Sequence, residues 1–362
     1  MPTLIYYVSG HGFGHARRTA EVLRELAALR PDVRLVVRTV APADIFRDTP
    51  AVTVSKPPHP IEPKIVEQDT LTIDRQASLA KLAEFLTTLD ATADAEAAFI
   101  RSTGATLVAA DVPFLAGPAA ARATVPCVGV TNFTWDWIYR HFANHAGASL
   151  PGSRDLPDRV AAAYAHMECL LQLPLGHEVT SFRTVIPMPL VGGAPHCDRA
   201  EVLARLDLTH DPRPRVLVAM RGGVSDDALR AAASGSPDLL FLAGQQIDRA
   251  PGNLRPTDPG LPFTDVLAAC DLAISKAGYG ILSDCITNRV ALAFPCRRGF
   301  PEDDITLTLC PRYLRMAEMT RPEFEAGHWH LAIHDALAQP APPGQMDTTG
   351  APRVAQWLAA RL

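Results

Sequence analysis

TLIYYVSGHGFGHARRTAEVLRELAAL, residues 3–29, holds a strand, a glycine turn and a helix in a single stretch. Residues 3–8 are a short apolar piece that reads as a buried first strand. From His15 to Leu29 the apolar positions fall at helical spacing, with Thr19, Val22, Leu23 and Leu26 on one face. The same alternation recurs along the chain. Strands are predicted at 33–40, 105–110 and 126–131. Helical patterns run through Leu79, Leu82, Phe85, Leu86 and Leu89, and from about Ala116 to Ala123. Alternating short strands and helices predict an α/β fold with parallel sheets.

The rhythm pauses between Leu173 and Pro195, where Pro174, Pro187, Pro189, Gly192, Gly193 and Pro195 suggest a linker. It then restarts, with strands expected at 215–220, 238–243, 271–275 and 290–294 and a last helix from about Ala351 to Leu362. The chain has 362 residues, more than one hydrophobic core usually serves. The expected organisation is a first Rossmann-like domain over 1–190, a second over 191–340, and a terminal helix within 341–362. Ligands of such sheets sit beyond the carboxyl ends of the strands, so two facing sheets predict a cleft between domains.

Composition excludes several classes. Hydrophobic residues are 48% and charged residues 20%, a globular balance. The net charge of −5 provides no basic excess for a nucleic-acid backbone. The 32 prolines are scattered, with no Pro-rich tract. No apolar run is long enough for a membrane span, and the N-terminus lacks the basic region of a signal peptide. Seven cysteines without C-x-x-C spacing read as buried free thiols in a reducing cytoplasm.

Four segments carry candidate chemistry. Ser9 to His15 (SGHGFGH) lies between strand and helix, where glycines admit a ligand and a helix N-terminus faces it. It is not the dinucleotide fingerprint, because the third glycine is misplaced and the next strand ends without an acid. His15, and less directly His11, are candidates for a general base, with Gly12 and Gly14 beside them; capping of local backbone is the alternative. Asp111 closes a strand and could orient His15, or cap the helix that follows. Thr131 to Trp137 (TNFTWDW) offers Asn132 and Trp135 to an acceptor, or to packing between domains.

In the second half, Ser275 to Asp284 (SKAGYGILSD) is a strand–glycine loop–helix unit. Its helix N-terminus could seat a diphosphate, with Lys276 as a point charge and Asp284 on ribose hydroxyls. Lysine occurs otherwise only at 56, 64 and 81. The strand at 215–220 runs into Gly222 and Gly223, also placed on the donor side. Arg297 to Asp304 (RRGFPEDD) pairs Arg298 with acids, unless it is simply a solvated charge run. No D-x-D occurs, which does not by itself exclude a metal, and the histidines show no ligand spacing such as H-E-x-x-H; no metal and no cofactor are expected.

The patterns YYVSGHGFGHARRTAEVLREL, TNFTWDWIY and KAGYGILSD resemble the glycosyltransferase-like domain that precedes the sugar kinase in plant L-arabinokinases. More broadly the chain is similar to GT-B glycosyltransferases. The resemblance implies two Rossmann-like domains facing a cleft, the first for the acceptor and the second for a nucleotide sugar, with the last helix crossing back. It implies His15 as base and Asp111 as its partner. It further implies Gly278, Tyr279 and Gly280 on the diphosphate, Asp284 on the ribose, Phe263 at the nucleobase, and Glu302 and Asp303 on the donor sugar. The expected activity is inverting, metal-independent transfer from a nucleotide diphosphate sugar, with a uridine diphosphate sugar favoured. A sugar-nucleotide-binding module without transfer, or an epimerase of the same fold, stands as the alternative. Acceptor and oligomeric state are open.

Overall fold

The computed structural model describes residues 1–49, 51–145, 154–220, 224–297 and 299–362. The strands are β1 (Thr3–Val8), β2 (Arg34–Arg38), β3 (Val52–Ser55), β4 (Glu67–Asp69), β5 (Thr72–Ile73), β6 (Leu107–Asp111), β7 (Cys127–Thr131), β8 (Cys169–Gln172) and β9 (Val185–Pro187), followed by β10 (Arg215–Val218), β11 (Leu240–Ala243), β12 (Leu254–Pro256), β13 (Leu272–Ile274), β14 (Ala291–Pro295) and β15 (Met316–Met319). The helices of the first half are α1 (Gly14–Leu29), α2 (Arg75–Thr103), α3 (Ala116–Ala123), α4 (Trp135–His145) and α5 (Leu156–Tyr164). Those of the second are α6 (Arg199–Arg205), α7 (Asp226–Gly235), α8 (Phe263–Ala269), α9 (Tyr279–Asn288), α10 (Pro301–Leu309), α11 (Arg321–Ala326), α12 (His330–Ala338) and α13 (Gly350–Ala359).

Two parallel sheets result. The first has the order β3-β2-β1-β6-β7-β8-β9, the second β12-β11-β10-β13-β14-β15. Each reverses its winding once, between β1 and β6 and between β10 and β13. The loops leaving those strands open the crevice in which doubly wound sheets hold ligands. β4 and β5 form a separate antiparallel pair.

Burial explains the run TLIYYV. Leu4, Tyr6 and Val8 point into one core while Ile5 and Tyr7 point into another, so both faces of β1 are dry. The first of these cores continues into the second lobe through Ala273, Tyr279 and Leu282. It also takes in Val354, Ala355 and Leu358 of α13, which packs beside Val22, Leu23 and Leu26 of α1. Arg30, just past α1, donates to the Ala359 carbonyl at 2.9 Å. The terminal helix thus rests on the first lobe.

Several expectations need correction. The stretch read as a linker contains β9, the edge of the first sheet, because even a three-residue strand can pair with β8. The strands β3, β8, β12 and β15 were not expected either; each is three or four residues long and lacks a periodic signal. α2 runs 29 residues, started by Asp74, whose side chain accepts from Ala77 N at 2.8 Å, and stopped by Gly104 at φ +65°. Five of the seven cysteines are buried, but Cys197 and Cys296 are only half-buried. Among the described residues no helix is long and apolar enough to cross a membrane.

Candidate active site

A cleft of about 1320 Å³ lies between the lobes, lined by both. From the first lobe come Gly10 to His15, Arg17, Arg18, Phe133 and Trp135; from the second come Phe263, Lys276, Gly278 to Ile281, Arg297 and Glu302. The two strand–glycine–helix units of the sequence therefore face one hollow.

They also touch. A methyl at Gly280 would lie 2.7 Å from Gly14 Cα, so the first turns of α1 and α9 meet backbone to backbone. Gly12, at φ +79°, makes the left-handed turn that brings the chain from β1 into α1. Neither helix has a side-chain cap or an acid in its first turn. Two bare helix N-termini converge, each carrying partial positive charge. Lys276 stands beside them, half-buried, with Glu67 Oε1 at 3.8 Å. Burial lowers the Lys276 pKa, and Arg297 adds to the effect while Glu67 opposes it.

His15 occupies the first turn of α1. Its Nδ1 lies 2.8 Å from Asp111 Oδ1. A carboxylate only accepts, so the bond to Asp111 needs the proton on Nδ1; Arg18 Nη2, also a donor, lies 3.0 Å from the same nitrogen and competes for it. Asp111 is 1% exposed. Burial would raise its pKa, but Arg18 and His15 outweigh burial and hold it below the ordinary value. Arg18 is the unforeseen member. Its Nε donates to Asp111 Oδ2 at 2.5 Å and its Nη2 to Oδ1, while its Nη1 donates to Asn132 Oδ1 at 2.8 Å. The expected dyad is a three-member group in which a guanidinium already offsets the carboxylate charge. Its signal was the i, i+3 spacing from His15 along one helix face.

Other expected residues stand elsewhere than foreseen. Asp284 is 4% exposed and turned away from the cleft. Its Oδ1 accepts from Gly193 N at 2.8 Å and its Oδ2 pairs with Arg17. It does not line the cleft, and burial raises its pKa despite Arg17. Asp303 pairs with Arg297 and is likewise buried, so of the expected acidic pair only Glu302 lines the cleft. Asn132 is buried as a bridge, accepting from Arg18 and donating to Glu302 Oε1 at 2.8 Å, which corrects its placement on the acceptor. Burial raises the Glu302 pKa. Tyr279 lines the cleft with its ring, 5.0 Å from the Arg18 guanidinium, while its hydroxyl donates to the Pro174 carbonyl. Phe263 lines the cleft with one face covered by Arg17 at 4.0 Å. Gly222, Gly223 and Arg298 lie outside the described residues.

The sequence reading missed a whole wall. Pro57, Pro58, His59, Pro60, Ile61, Glu62, Lys64 and Ile65 line the cleft on the first lobe. This is a local Pro-rich tract, with prolines at 57, 58, 60 and 63 among His, Glu and Lys, and that density was its signal. A histidine ligand spacing was also overlooked. His330 and His334, one turn apart on α12, join Asp238 with ligand atoms within 4.8 Å of one another. None of the three lines the cleft.

No protein-family model matches the chain. L-arabinokinase of Arabidopsis thaliana is 33% identical over 338 residues, 92% of this chain and 32% of that protein, so the chain spans about a third of the relative's length. Among solved structures, the glycotransferase of kitacinnamycin is similar with a TM-score of 0.65 at 14% identity, covering 100% of this chain and 99% of that one. A UDP-glucosyltransferase from Polygonum tinctorium, capable of glucosylating indoxyl, is similar with a TM-score of 0.59 at 14% identity, covering 99% and 98%. These two likenesses establish a shared fold.

Proposed function

The chain has the two-lobed GT-B glycosyltransferase fold, and on that premise we propose that it is an inverting glycosyltransferase using a nucleotide diphosphate sugar, with a uridine diphosphate sugar favoured. The observation that carries the reading is that His15–Asp111 from one lobe and the Lys276–Gly280 helix entrance from the other line the same cleft. The first lobe, 1–190, takes the acceptor; the second, 191–340, takes the donor.

In this mechanism His15 Nε2 accepts the proton of an acceptor hydroxyl as its oxygen attacks the anomeric carbon. Asp111 fixes the ring through Nδ1–H, and Arg18 keeps Asp111 ionised. The bond from the anomeric carbon to the diphosphate breaks, and its electrons leave with the nucleotide. The bare N-terminus of α9 and Lys276 face that developing charge in a partly enclosed space, where fixed dipoles are most effective. Glu302 is the acid positioned for a donor-sugar hydroxyl. No step requires a metal.

The test is binding. UDP and UDP-glucose should raise the melting temperature, since a ligand at about 100 times its Kd adds about 2.7 kcal/mol. Lys276→Ala should weaken that shift. Shifts from no nucleotide diphosphate or its sugar would sink the reading.

A further inference from the structure

We propose that the acceptor is a hydroxyl-rich small molecule, a sugar or polyol, and that Glu62 holds a hydroxyl of it beside the one that reacts. This rests on the transferase reading and specifies its acceptor.

Glu62 is set in the proline-framed wall and its side chain is only 8% exposed. Oε1 is engaged, accepting from Ser9 Oγ at 2.9 Å and Gly10 N at 2.7 Å. Oε2 is buried and has no hydrogen-bond partner among the described residues. Burying a carboxylate oxygen without a donor is costly, and a ligand that donates to it removes the cost. Trp135 Nε1 is a buried donor in the same condition. Both side chains line the cleft.

They belong to one patch, with His11 between them. His11 Nε2 lies 3.8 Å from Glu62 Oε1, and its ring meets the Trp135 indole edge-on at 5.3 Å. His11 donates from Nε2 to the Pro63 carbonyl at 2.9 Å, which leaves Nδ1 as an acceptor. From Trp135 the contacts run to Phe133 at 5.1 Å and on to His15 at 5.8 Å. An unmet carboxylate oxygen, an unmet indole N–H and an imidazole acceptor thus lie on one wall of the cleft, joined to the base through Phe133. Hydroxyl groups both donate and accept, so a polyol satisfies all three at once. A flat phenol, with a single hydroxyl committed to His15, satisfies none. The terminal torsion of Glu is soft, so a small turn of the carboxylate presents Oε2 to an entering hydroxyl.

The experiment uses the full chain with UDP-glucose, offering neutral monosaccharides, alditols and inositols against flat phenols. Wild type should transfer to at least one polyol and discriminate against phenols. Glu62→Gln retains an oxygen for Ser9 and Gly10. It should raise KM for that polyol by about tenfold or more, with a smaller change in kcat. Its affinity for UDP-glucose, and its melting temperature, should match wild type; Glu62→Asp should recover part of the loss. Transfer to phenols alone, no transfer to any polyol, or an unchanged polyol KM in Glu62→Gln overturns the proposal. Failure of wild type to bind UDP-glucose is a different result and overturns the parent reading.

Discussion

The first lobe holds an arginine, a carboxylate and a histidine together twice, and in only one copy does the ring hydrogen-bond the acid. In one, Arg18, Asp111 and His15 meet where β6 ends. In the other, Arg38 and Glu96 meet near His59 at the proline wall. Both carboxylates are buried, and both pKa values are held below their ordinary range by arginine against the pull of burial. The difference lies in alignment. His15 Nδ1 makes a hydrogen bond with Asp111. His59 Nε2 comes as close to Glu96, 2.8 Å, but without hydrogen-bond geometry. Glu96 is already occupied by two bonds from Arg38 and one from the Tyr7 hydroxyl. The second group ties α2 to β1 and β2. The lesson is that a histidine near an acid is a dyad only when the acid has an oxygen aimed at the ring.

The sharpest way to break this contrast is kinetic. His15→Ala should lower kcat for transfer by about 10²- to 10⁴-fold. His59→Ala should leave it nearly unchanged, and an equal loss in both would abolish the distinction. The next effect is on stability, measured by chemical unfolding. Glu96→Gln and Asp111→Asn each leave a buried arginine without its counter-charge, at about 3–5 kcal/mol. Only Asp111→Asn should also lower kcat where both variants are folded.

The smallest effect marks the limit of the comparison. Glu21 also pairs with an arginine, Arg24, at 2.7 Å. Yet burial, helped by Asp284, pushes its pKa up to about 7. A raised carboxyl favours the folded protein while protonated and loses that advantage as pH climbs from the unfolded value towards 7. Glu21→Gln should therefore stabilise on the order of 1–3 kcal/mol at pH 8 and much less at pH 5. Equal effects at both values would show that Glu21 ionises as freely as an exposed glutamate.

Much of the architecture was legible because the strands of the doubly wound sheets carry apolar runs that need no tertiary information. The loops Ser9–His15 and Ser275–Gly280 were legible too, since glycine between strand and helix has few other uses. What escaped was orientation. Asp284 is the last residue of the legible unit, but which way it faces is decided by Gly193 and Arg17, 91 and 267 residues earlier in the chain. Asp303 is drawn off by a nearer partner, Arg297, six residues earlier. The wall from Pro57 to Ile65 has no periodicity, because prolines prevent it, so pattern reading passed over Glu62.

The contact between Gly14 and Gly280 bears on how the two halves stay together. Where they meet there is no side chain to interlock, and two helix ends of like polarity confront each other amid Arg17, Lys276 and Arg297. On the proposed transferase reading, a diphosphate held beside that seam would touch both lobes, so its departure would loosen them together.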